Sequence, residues 1–471
     1  MEKSRNNDSK AIISNLNNDN NNRHIVKNKK INNINKPLGL FNLGLTCYMN
    51  SLLQCFYYII ELREYLINNS DKFNNEKIVT KELSNVMYEL KYNENKYFKP
   101  IEFKKLIGKK NKLFEGRKAA DVKDLFFNLI DCLTNELNNN DSEESSILSE
   151  EIDFSQKEEV YKITEKEFYD SNFINQLFLG FYEIEYLCPV KHNGEKKYIY
   201  TFQIESFMLF ELENIKNYYL KEDLSLDLCF RYFTKTEKNS SFYCSLCKVN
   251  HCGDAKNKIY KPPKILVIIL DRGKGKKFVG KVKYEKYLDL KDYIDEDSYC
   301  TNTFYKLICI SKHSGESSEN GHYTAYCLND NGKYYHFNDS YVEKVTNEDE
   351  LYKGDAYLLF YKKVDIDNSK LKEEINEESD IEKLKNNFTQ KIIDNKWNLN
   401  RINNEKENGD KFISLIFKNS IQKKGKNTNN IIIRQFKFFY RSFEKWYKYL
   451  ILYIFIFILS IMFYEFFFEF I

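Results

Sequence analysis

The sequence predicts an α+β fold for residues 37–364 of this 471-residue chain, and two observations carry that prediction. Apolar residues at helical spacing follow Cys47 and recur from Ala119 to Leu133, where they form one face of a helix. Short apolar runs rich in β-branched and aromatic residues then dominate. These runs predict strands at Ile265–Leu270, Tyr305–Ile310, Tyr323–Leu328, Lys333–Phe337 and Ala356–Tyr361. Helical and strand patterns together are typical of a mixed α and β domain.

Composition sets the limits of the domain and of its partners. Residues 1–36 are rich in Asn and Lys and residues 365–430 are polar and charged, so we expect a disordered tail and a polar linker. With 72 basic and 69 acidic residues, the net charge of +3 argues against a nucleic-acid partner bound through a cationic face. The 11 cysteines form no compact disulfide framework, and no apolar secretory signal opens the sequence. Reduced thiols in the cytosol are therefore expected.

The segment 449–471 differs in kind from the rest of the chain. Tyr449 to Tyr464 carries no charge and spans about 24 Å as a helix, or about 34 Å if the helix continues to the last residue, against ~30 Å for the hydrocarbon core of a membrane. A basic segment precedes it at 431–448. We therefore predict a single-pass C-terminal transmembrane tail anchor, with the rest of the protein facing the cytosol. Glu465 and Glu469 leave open an apolar helix that self-associates or packs on the domain.

Cys47 has the sequence setting of a nucleophile. It ends the turn-rich run Gly39–Thr46 and opens the helical pattern, which places its sulfur at a helix N-terminus. There, unpaired backbone N–H groups and the positive end of the helix macrodipole favour a thiolate, which is the form of cysteine that attacks carbonyl carbons. Because a helical cysteine is more often a small buried hydrophobe, the interpretation needs a base elsewhere in the chain.

His322 is the candidate base. Two predicted strands flank Asn329–Gly332, a run of residues that favour turns, and the three segments together predict a hairpin. A symmetric hairpin places His322 opposite Asn338 or Asp339, where an amide or carboxylate can hold one imidazole nitrogen while the other faces the thiol. A register shift of one residue exchanges Asn338 for Asp339, so spacing alone does not choose between them.

Two long motifs around these residues resemble those of a known family. The run Gly39-Leu-Phe-Asn-Leu-Gly-Leu-Thr-Cys-Tyr-Met-Asn-Ser-Leu-Leu-Gln54 resembles the cysteine box of the ubiquitin-specific proteases. The run from His313 to Tyr326, followed by Tyr335 to Ser340, resembles their histidine box. For residues 37–364 the resemblance implies a papain-like ubiquitin-specific protease fold, with a helical thumb, a palm, and β-sheet fingers at about residues 180–262.

The resemblance also implies a role for each site residue. Cys47 would be the nucleophile, His322 the general base and then acid, and Asn338 the third member of a triad, with Asp339 as its supporting neighbour. Asn42 matches the residue whose side-chain amide helps to form the oxyanion hole. An amide N–H₂ and the Cys47 backbone N–H aimed at one point would stabilise the charge on the attacked carbonyl oxygen.

The chain departs from the family pattern at three places. Ala119 and Ala120 replace both glutamines of a Gln-Gln-Asp box, and Gly273 stands where a Phe is usual. Leu45 stands where Asn is common, just before the Thr-Cys pair. We expect these departures to affect local packing and contacts to the tail of the substrate, and to leave the nucleophile unchanged.

The fingers of the family commonly bind zinc through two Cys-x-x-Cys pairs. This chain keeps one complete pair and has Lys191 where the second thiol of the other is expected. The predicted ligands of a structural zinc are Cys188, Cys244, Cys247 and His192. The alternatives for the fourth position are His251 and Cys252. The sequence leaves a zinc-free fingers subdomain equally open, and it predicts no cofactor for catalysis.

The sequence therefore predicts a deubiquitinating cysteine protease that hydrolyses the isopeptide bond after the C-terminal glycine of ubiquitin through a thioester on Cys47. The expected partners are ubiquitin, ubiquitinated proteins and, through the C-terminal helix, a membrane. One alternative is a protease for another ubiquitin-like modifier. A second is a membrane-tethered ubiquitin-binding scaffold with little turnover. A papain-like endopeptidase is disfavoured by the intracellular cysteine pattern and by the two boxes.

Overall fold

The computed structural model describes residues 36–138, 155–168, 172–273, 278, 280–298, 300, 302–315 and 321–364. The helices in these ranges are α1 (Cys47–Tyr57), α2 (Ile60–Asn68), α3 (Ile78–Tyr92), α4 (Ile101–Lys110), α5 (Val122–Leu137), α6 (Lys157–Phe168), α7 (Phe173–Phe178), α8 (Leu212–Tyr218) and α9 (Leu226–Phe233). The strands are β1 (Gly39–Leu40), β2 (Tyr97–Phe98), β3 (Gly180–His192), β4 (Glu195–Glu205), β5 (Met208–Glu211), β6 (Thr236–Cys244), β7 (Val249–Lys261), β8 (Ile265–Asp271), β9 (Tyr287–Asp289), β10 (Phe304–Ser314), β11 (His322–Leu328), β12 (Tyr334–Asn338), β13 (Tyr341–Lys344) and β14 (Ala356–Lys363). Short 3-10 turns cover Ser70–Lys72, Lys112–Phe114, Lys291–Tyr293 and Glu348–Tyr352.

Two larger sheets follow an early group of helices. The eight-stranded sheet has the order β13-β12-β11-β10-β14-β8-β5, with β9 paired to the start of β10, and only the β5–β8 pair in it is parallel. The four-stranded sheet has the order β4-β3-β7-β6 and is antiparallel throughout. Helices segregated from antiparallel sheets define an α+β fold, so the predicted fold class is confirmed.

Strand β8 shows why the chain needs two cores. Its alternate residues Ile265, Val267 and Ile269 belong to a core shared with α1, α3 and α5. The residues between them belong to a second core on the other face, which includes β5, α8 and α9. A strand covered on both faces requires an apolar run without alternation, and that is what the sequence has there.

Helix α1 is wholly buried, and polar side chains fix it to the large sheet. The Ser51 hydroxyl donates to the Thr324 carbonyl oxygen at 3.1 Å and lies 2.7 Å from the Ser311 hydroxyl. Gln54 donates through Nε2 to the Leu38 carbonyl oxygen at 2.8 Å. Because hydrogen bonds are directional and these groups lie away from water, they fix the rotation of α1 as well as its depth.

Helix α5 begins at Val122 and not at Ala119, where the apolar pattern starts. Asp121 is the N-cap, because its side chain accepts a hydrogen bond from the Lys123 backbone N–H at 2.9 Å. The second oxygen of the same carboxylate accepts from the Tyr357 hydroxyl at 2.6 Å. The cap therefore sets the start of the helix and ties it to β14 as well.

The predicted membrane location is corrected here. In the part of the chain that the structure describes, no helix is long and apolar enough to cross a membrane. The longest, α5, spans about 24 Å and is amphipathic, whereas a membrane span needs ~30 Å of continuous apolar helix. This finding contradicts the predicted single-pass anchoring, which we withdraw. The predicted tail as far as residue 35, the linker 365–430, the basic segment 431–448 and the anchor 449–471 lie outside the described residues, and the predicted domain limits stay predictions.

Leu129 and Leu220 give a matched test of the first core. Leu129 on α5 is fully buried, whereas Leu220 is 73% exposed. Leu129→Ala should lower the free energy of unfolding by about 2–5 kcal/mol because it removes buried methyl groups and leaves a cavity. Leu220→Ala should change it by less than about 0.5 kcal/mol. Chemical denaturation of both variants measures the difference, and equal losses would contradict the assignment of Leu129 to the core.

Candidate active site

The turn before α1 is shaped by the side chain of Asn42. Its Oδ1 atom accepts hydrogen bonds from the backbone N–H groups of Gly44 at 2.9 Å and Thr46 at 3.1 Å. The Leu43 N–H donates to the Thr46 hydroxyl at 2.9 Å. The chain therefore turns sharply before α1, and Cys47 is the first residue of the helix. The backbone N–H groups of this first turn have no hydrogen-bond partner within the helix.

Leu45 occupies the strained position of this turn. Its φ angle is +57°, in the left-handed region, and its side chain is 55% exposed. A non-glycine residue there costs roughly 1–2 kcal/mol, and Asn tolerates the conformation better than Leu. Leu in place of the usual Asn at this position therefore affects backbone strain. It does not affect core packing, because the residue is exposed.

Asp339 links the segment that contains Cys47 to the hairpin that contains His322. One carboxylate oxygen accepts from Asn42 Nδ2 at 2.9 Å, and the other accepts from Asn50 Nδ2 at 2.7 Å. Its own carbonyl oxygen accepts from the Leu40 N–H at 2.9 Å. A Cβ atom on Gly39 would lie 2.6 Å from a backbone oxygen of this segment, so only glycine permits such close approach. Sequence reasoning missed Asn50, whose signal is a polar residue inside a wholly buried helix.

The hairpin register differs from the symmetric prediction by one residue. Leu328 pairs with Tyr334, so five residues form the connection, and the same register extended places His322 opposite Ser340. The prediction of direct opposition to Asn338 or Asp339 is therefore wrong. Asn338 lies on the diagonal, which a side chain can still span. His322 Nε2 is 2.7 Å from Asn338 Oδ1 and 4.0 Å from the Asp339 carboxylate.

The electrostatics of His322 link it to Cys47. A hydrogen bond with the Cys47 thiol is the largest influence and raises the pKa of His322 to about 9; burial opposes it, and Asn338 and Asp339 add to it. Because the Asn338 oxygen can only accept, Nε2 carries a hydrogen, and Nδ1 is the nitrogen left for the thiol. Cys47 is 8% exposed, whereas the imidazole is 41% exposed. The His322 imidazole is therefore the more solvent-accessible of the two groups.

The arrangement can carry out acyl transfer. It brings together a thiol, an imidazole whose pKa that thiol raises, and an amide that orients the imidazole. Asn42 Nδ2 carries two hydrogens, and only one is needed by Asp339, so the second can meet a developing oxyanion. All five predicted site residues lie in this one region: Cys47, His322, Asn338, Asp339 and Asn42.

A second group of potential ligands lies at the tip of the four-stranded sheet. The Cys188 sulfur is 3.6 Å from Cys244 Sγ and 3.7 Å from Cys247 Sγ. His192 Nε2 lies 3.4, 3.9 and 3.3 Å from Cys188, Cys244 and Cys247. Tetrahedral zinc with Zn–S of about 2.3 Å needs sulfurs about 3.8 Å apart, so the spacing fits. Of the alternatives, the structure leaves Cys252 exposed and packs the His251 ring near Phe242, and neither joins this group.

Comparison with known proteins identifies the class. The profile described as ubiquitin carboxyl-terminal hydrolase matches residues 38–361, and the chain belongs to that family, among its ubiquitin-specific proteases. The enzyme class that follows is a cysteine-type ubiquitin carboxyl-terminal hydrolase, that is, a deubiquitinase. The chemistry of this class needs no cofactor.

Particular relatives show the extent of the similarity. Ubiquitin carboxyl-terminal hydrolase 8 of Saccharomyces cerevisiae is 26% identical over 69% of this chain and 70% of its own length. Ubiquitin carboxyl-terminal hydrolase 2 of Bos taurus is 30% identical over 69% of this chain, which spans about half (54%) of that relative. The SAGA Ubp8/Sgf11/Sus1/Sgf73 DUB module bound to ubiquitin aldehyde shares the fold with a TM-score of 0.55 and 21% identity, over 76% of each chain. The predicted papain-like ubiquitin-specific protease fold is therefore confirmed.

The raised pKa of His322 gives a direct test of its pairing with Cys47. In Cys47→Ala the pKa of His322 should fall from about 9 toward 6.5, because the largest influence on it is removed. Histidine NMR titration measures this shift, with Cys132→Ala, which removes a half-buried thiol elsewhere, as the matched control.

The same pairing predicts a pH dependence of stability. The folded pKa of His322 lies above its unfolded value of 6.5, so the pair stabilises the fold fully below pH 6.5 and loses that contribution as the pH rises through about 9. Wild type should therefore lose stability relative to Cys47→Ala across this window. An unchanged pKa of His322 in Cys47→Ala would show that the thiol and imidazole do not interact.

Proposed function

We propose that Cys47, His322 and Asn338 form the catalytic triad of a deubiquitinase that cleaves the isopeptide bond after the C-terminal glycine of ubiquitin. One observation carries the proposal: His322 Nε2 lies 2.7 Å from Asn338 Oδ1, and Cys47 is the largest influence on the pKa of the same imidazole. A nucleophile beside a base, with an orienting group hydrogen-bonded to that base, is the arrangement that thiol acyl transfer requires.

The reaction begins with the Cys47 proton on His322 Nδ1, which leaves Cys47 as the thiolate. The thiolate attacks the carbonyl carbon of the scissile bond, and the negative charge moves to the carbonyl oxygen. The Asn42 side-chain N–H and the Cys47 backbone N–H stabilise that oxygen. His322 then donates its proton to the departing lysine amine, and a thioester on Cys47 remains. Water activated by His322 hydrolyses the thioester and restores the thiol.

In a Cys-His-Asp triad one carboxylate both orients the imidazole and stabilises its positive charge. Here Asn338 would provide the first function and Asp339 the second. Asn338 is neutral, so its hydrogen bond fixes the orientation and tautomer of His322 without placing a charge in contact with it. The Asp339 carboxylate lies 4.0 Å from His322 Nε2 and favours the imidazolium electrostatically. In our proposal Asp339 also positions Asn42, so that one residue supports both the base and the oxyanion donor.

Ubiquitin is the substrate that the relatives support. The SAGA DUB modules of similar fold have been solved bound to monoubiquitin and to ubiquitin aldehyde. An aldehyde at the end of ubiquitin presents a carbonyl carbon to a nucleophile, as the scissile bond does in our mechanism. We therefore propose the ubiquitin tail as the acyl group and ubiquitinated proteins as substrates, with another ubiquitin-like modifier as the alternative.

A ubiquitin derivative with a C-terminal electrophile tests the proposed nucleophile. Wild type should form one covalent adduct, and Cys47→Ala should form none, because the attacking sulfur is gone. Cys132→Ala should react at the wild-type rate, since that thiol has no place in the mechanism. Gel mobility and intact mass measure the adduct. Labelling that survives in Cys47→Ala would exclude Cys47, and faster labelling by probes of other modifiers would favour the alternative substrate.

We further propose that Cys188, His192, Cys244 and Cys247 hold a structural zinc ion. Three thiolates and one imidazole are an established ligand set for closed tetrahedral zinc, and their sulfur and nitrogen atoms lie within 4.8 Å of one another. Cys188 and His192 come from β3 and the two other cysteines from the end of β6 and the turn after it, so the ion would fasten the tips of two strands that do not pair. It would have no part in bond cleavage, which proceeds at Cys47.

Metal analysis of the purified chain tests the zinc site. Wild type should carry one zinc ion per chain, and Cys247→Ser should carry close to none because a three-ligand remainder binds weakly. Cys252→Ser, an exposed cysteine of the same sheet, should keep the wild-type zinc content. Mass spectrometry of the metal per chain provides the measurement. Equal zinc in the two variants would refute the proposed ligand set.

A further inference from the structure

Three buried cysteines converge behind the catalytic helix, apart from both sites described above. Cys55 belongs to α1, Cys309 to β10 and Cys327 to β11, and each is 0% exposed. Their sulfur atoms lie within 4.8 Å of one another. Cys309 and Cys327 are direct partners in the antiparallel pair of β10 and β11. Cys309 Sγ also donates to the Cys55 carbonyl oxygen at 3.6 Å.

The number and type of donors restrict what this cluster can bind. Thiolates select soft, thiophilic ions. The group consists of three sulfurs, and in the described parts of the chain no fourth His, Asp, Glu or Cys ligand atom joins it. Structural zinc takes four ligands, which is the number that the cluster of Cys188, His192, Cys244 and Cys247 offers. The cluster of three core cysteines instead suits a centre that forms three bonds. An ion with bonds of about 2.3 Å to sulfur needs its three sulfurs at most about 4 Å apart. The three sulfurs lie within 4.8 Å of one another, so binding would require them to move together by less than about 1 Å.

Charge restricts the ligand further. Burial raises the pKa of the Cys55 thiol and hydrogen bonds with Cys309 and Cys327 outweigh it, with no charged side chain among these influences. Three thiolates around a monovalent or divalent ion would leave a net negative charge in this dry interior, which is costly without a countercharge. A trivalent centre bonded to three thiolates is neutral. The site therefore favours a trivalent thiophilic centre with three directional bonds.

We propose that Cys55, Cys309 and Cys327 form a binding site for a trivalent metalloid of the arsenic group, for which arsenite is the probe. Arsenous acid, As(OH)₃, would react with the three thiols in succession. Three As–S bonds form, three As–O bonds break, and the three thiol protons leave with the hydroxides as water. No electrons are transferred, so the step needs no oxidant or reductant.

The position of the cluster gives such binding a mechanical consequence. Cys55 lies on the helix that begins at Cys47, and Cys327 lies on the strand that begins at His322. A ligand bonded to Cys55, Cys309 and Cys327 would cross-link this helix and this strand without contacting Cys47 or His322. It should therefore raise the temperature of unfolding, since a cross-link present in the folded protein restrains the parts that must separate.

Arsenic uptake by the zinc-loaded full chain tests the proposal. Wild type and Cys327→Ala are incubated with arsenite and a phosphine reductant, and arsenic per chain is measured by mass spectrometry. Cys229→Ala is the matched control, because Cys229 is also fully buried but lies in the second core. We expect Cys327→Ala to bind one arsenic fewer than the control and to lose the thermal stabilisation. Equal uptake and equal stabilisation in the two variants would overturn the proposal.

A measurement on the unaltered chain covers the case in which Cys327→Ala does not fold. X-ray absorption at the arsenic edge counts the atoms bonded to arsenic. With zinc occupying the fingers, wild type should show three sulfur neighbours and no oxygen. Arsenic with one or two sulfur neighbours, or no arsenic bound at all, would overturn the proposal.

Discussion

The carboxylate of Asp339 is the point on which the catalytic geometry depends. It accepts hydrogen bonds from Asn42 and Asn50, which lie 297 and 289 residues away in the sequence. Both oxygens are therefore committed to the segment that carries Cys47. Asn338 directly precedes Asp339 in the sequence. The residue that binds Asn42 therefore also fixes the position of the amide that hydrogen-bonds to His322. The proposed nucleophile, base and oxyanion donor thus share one support.

A second layer of contacts makes that support rigid. Helix α1 is buried along its whole length and joined to the large sheet by the Ser51, Ser311 and Thr324 contacts. The sheet itself is covered by a core on each face. Cys47 is therefore the first residue of a helix that cannot rotate or slide without breaking buried hydrogen bonds. The proposed nucleophile thus lies at the helix N-terminus, where backbone N–H groups without a partner in the helix favour negative charge.

Much of the site could be predicted because its signals are local. A turn that ends at a cysteine, followed by helical spacing, predicts the position of Cys47 from a few neighbouring residues. Turn-forming residues between two strands predicted a hairpin that brings His322 near Asn338 and Asp339, but they did not predict its register, and the choice of Asn338 came from the family resemblance. Asn329 and Lys333 close a five-residue connection through a 2.9 Å hydrogen bond, and the residues in the turn fit a four-residue connection equally well.

Other features depend on tertiary contacts that sequence spacing does not encode. The grouping of His192, and not His251, with the three cysteines depends on a register shift in β3 after Leu187 that brings Cys188 and His192 to the same cluster. The positive φ of Asp339 and the hydrogen bonds of its side chain require partners almost 300 residues away. The cluster of Cys55, Cys309 and Cys327 was missed because each residue alone looks like a small core hydrophobe. The membrane anchor was argued from hydropathy and a basic flanking segment, and the described structure contradicts the membrane location that it implied.

A double-mutant cycle between Asn42 and Asp339 tests the central claim most directly. The rate of single-turnover acylation by a ubiquitin thioester or amide is measured for Asn42→Ala, Asp339→Ala and the double variant. If Asp339 acts by holding Asn42, Asn42→Ala should lower the rate little further in a chain that already carries Asp339→Ala, with a coupling free energy of at least about 1 kcal/mol. Rate losses that simply multiply would contradict the account, since the two residues would then act independently.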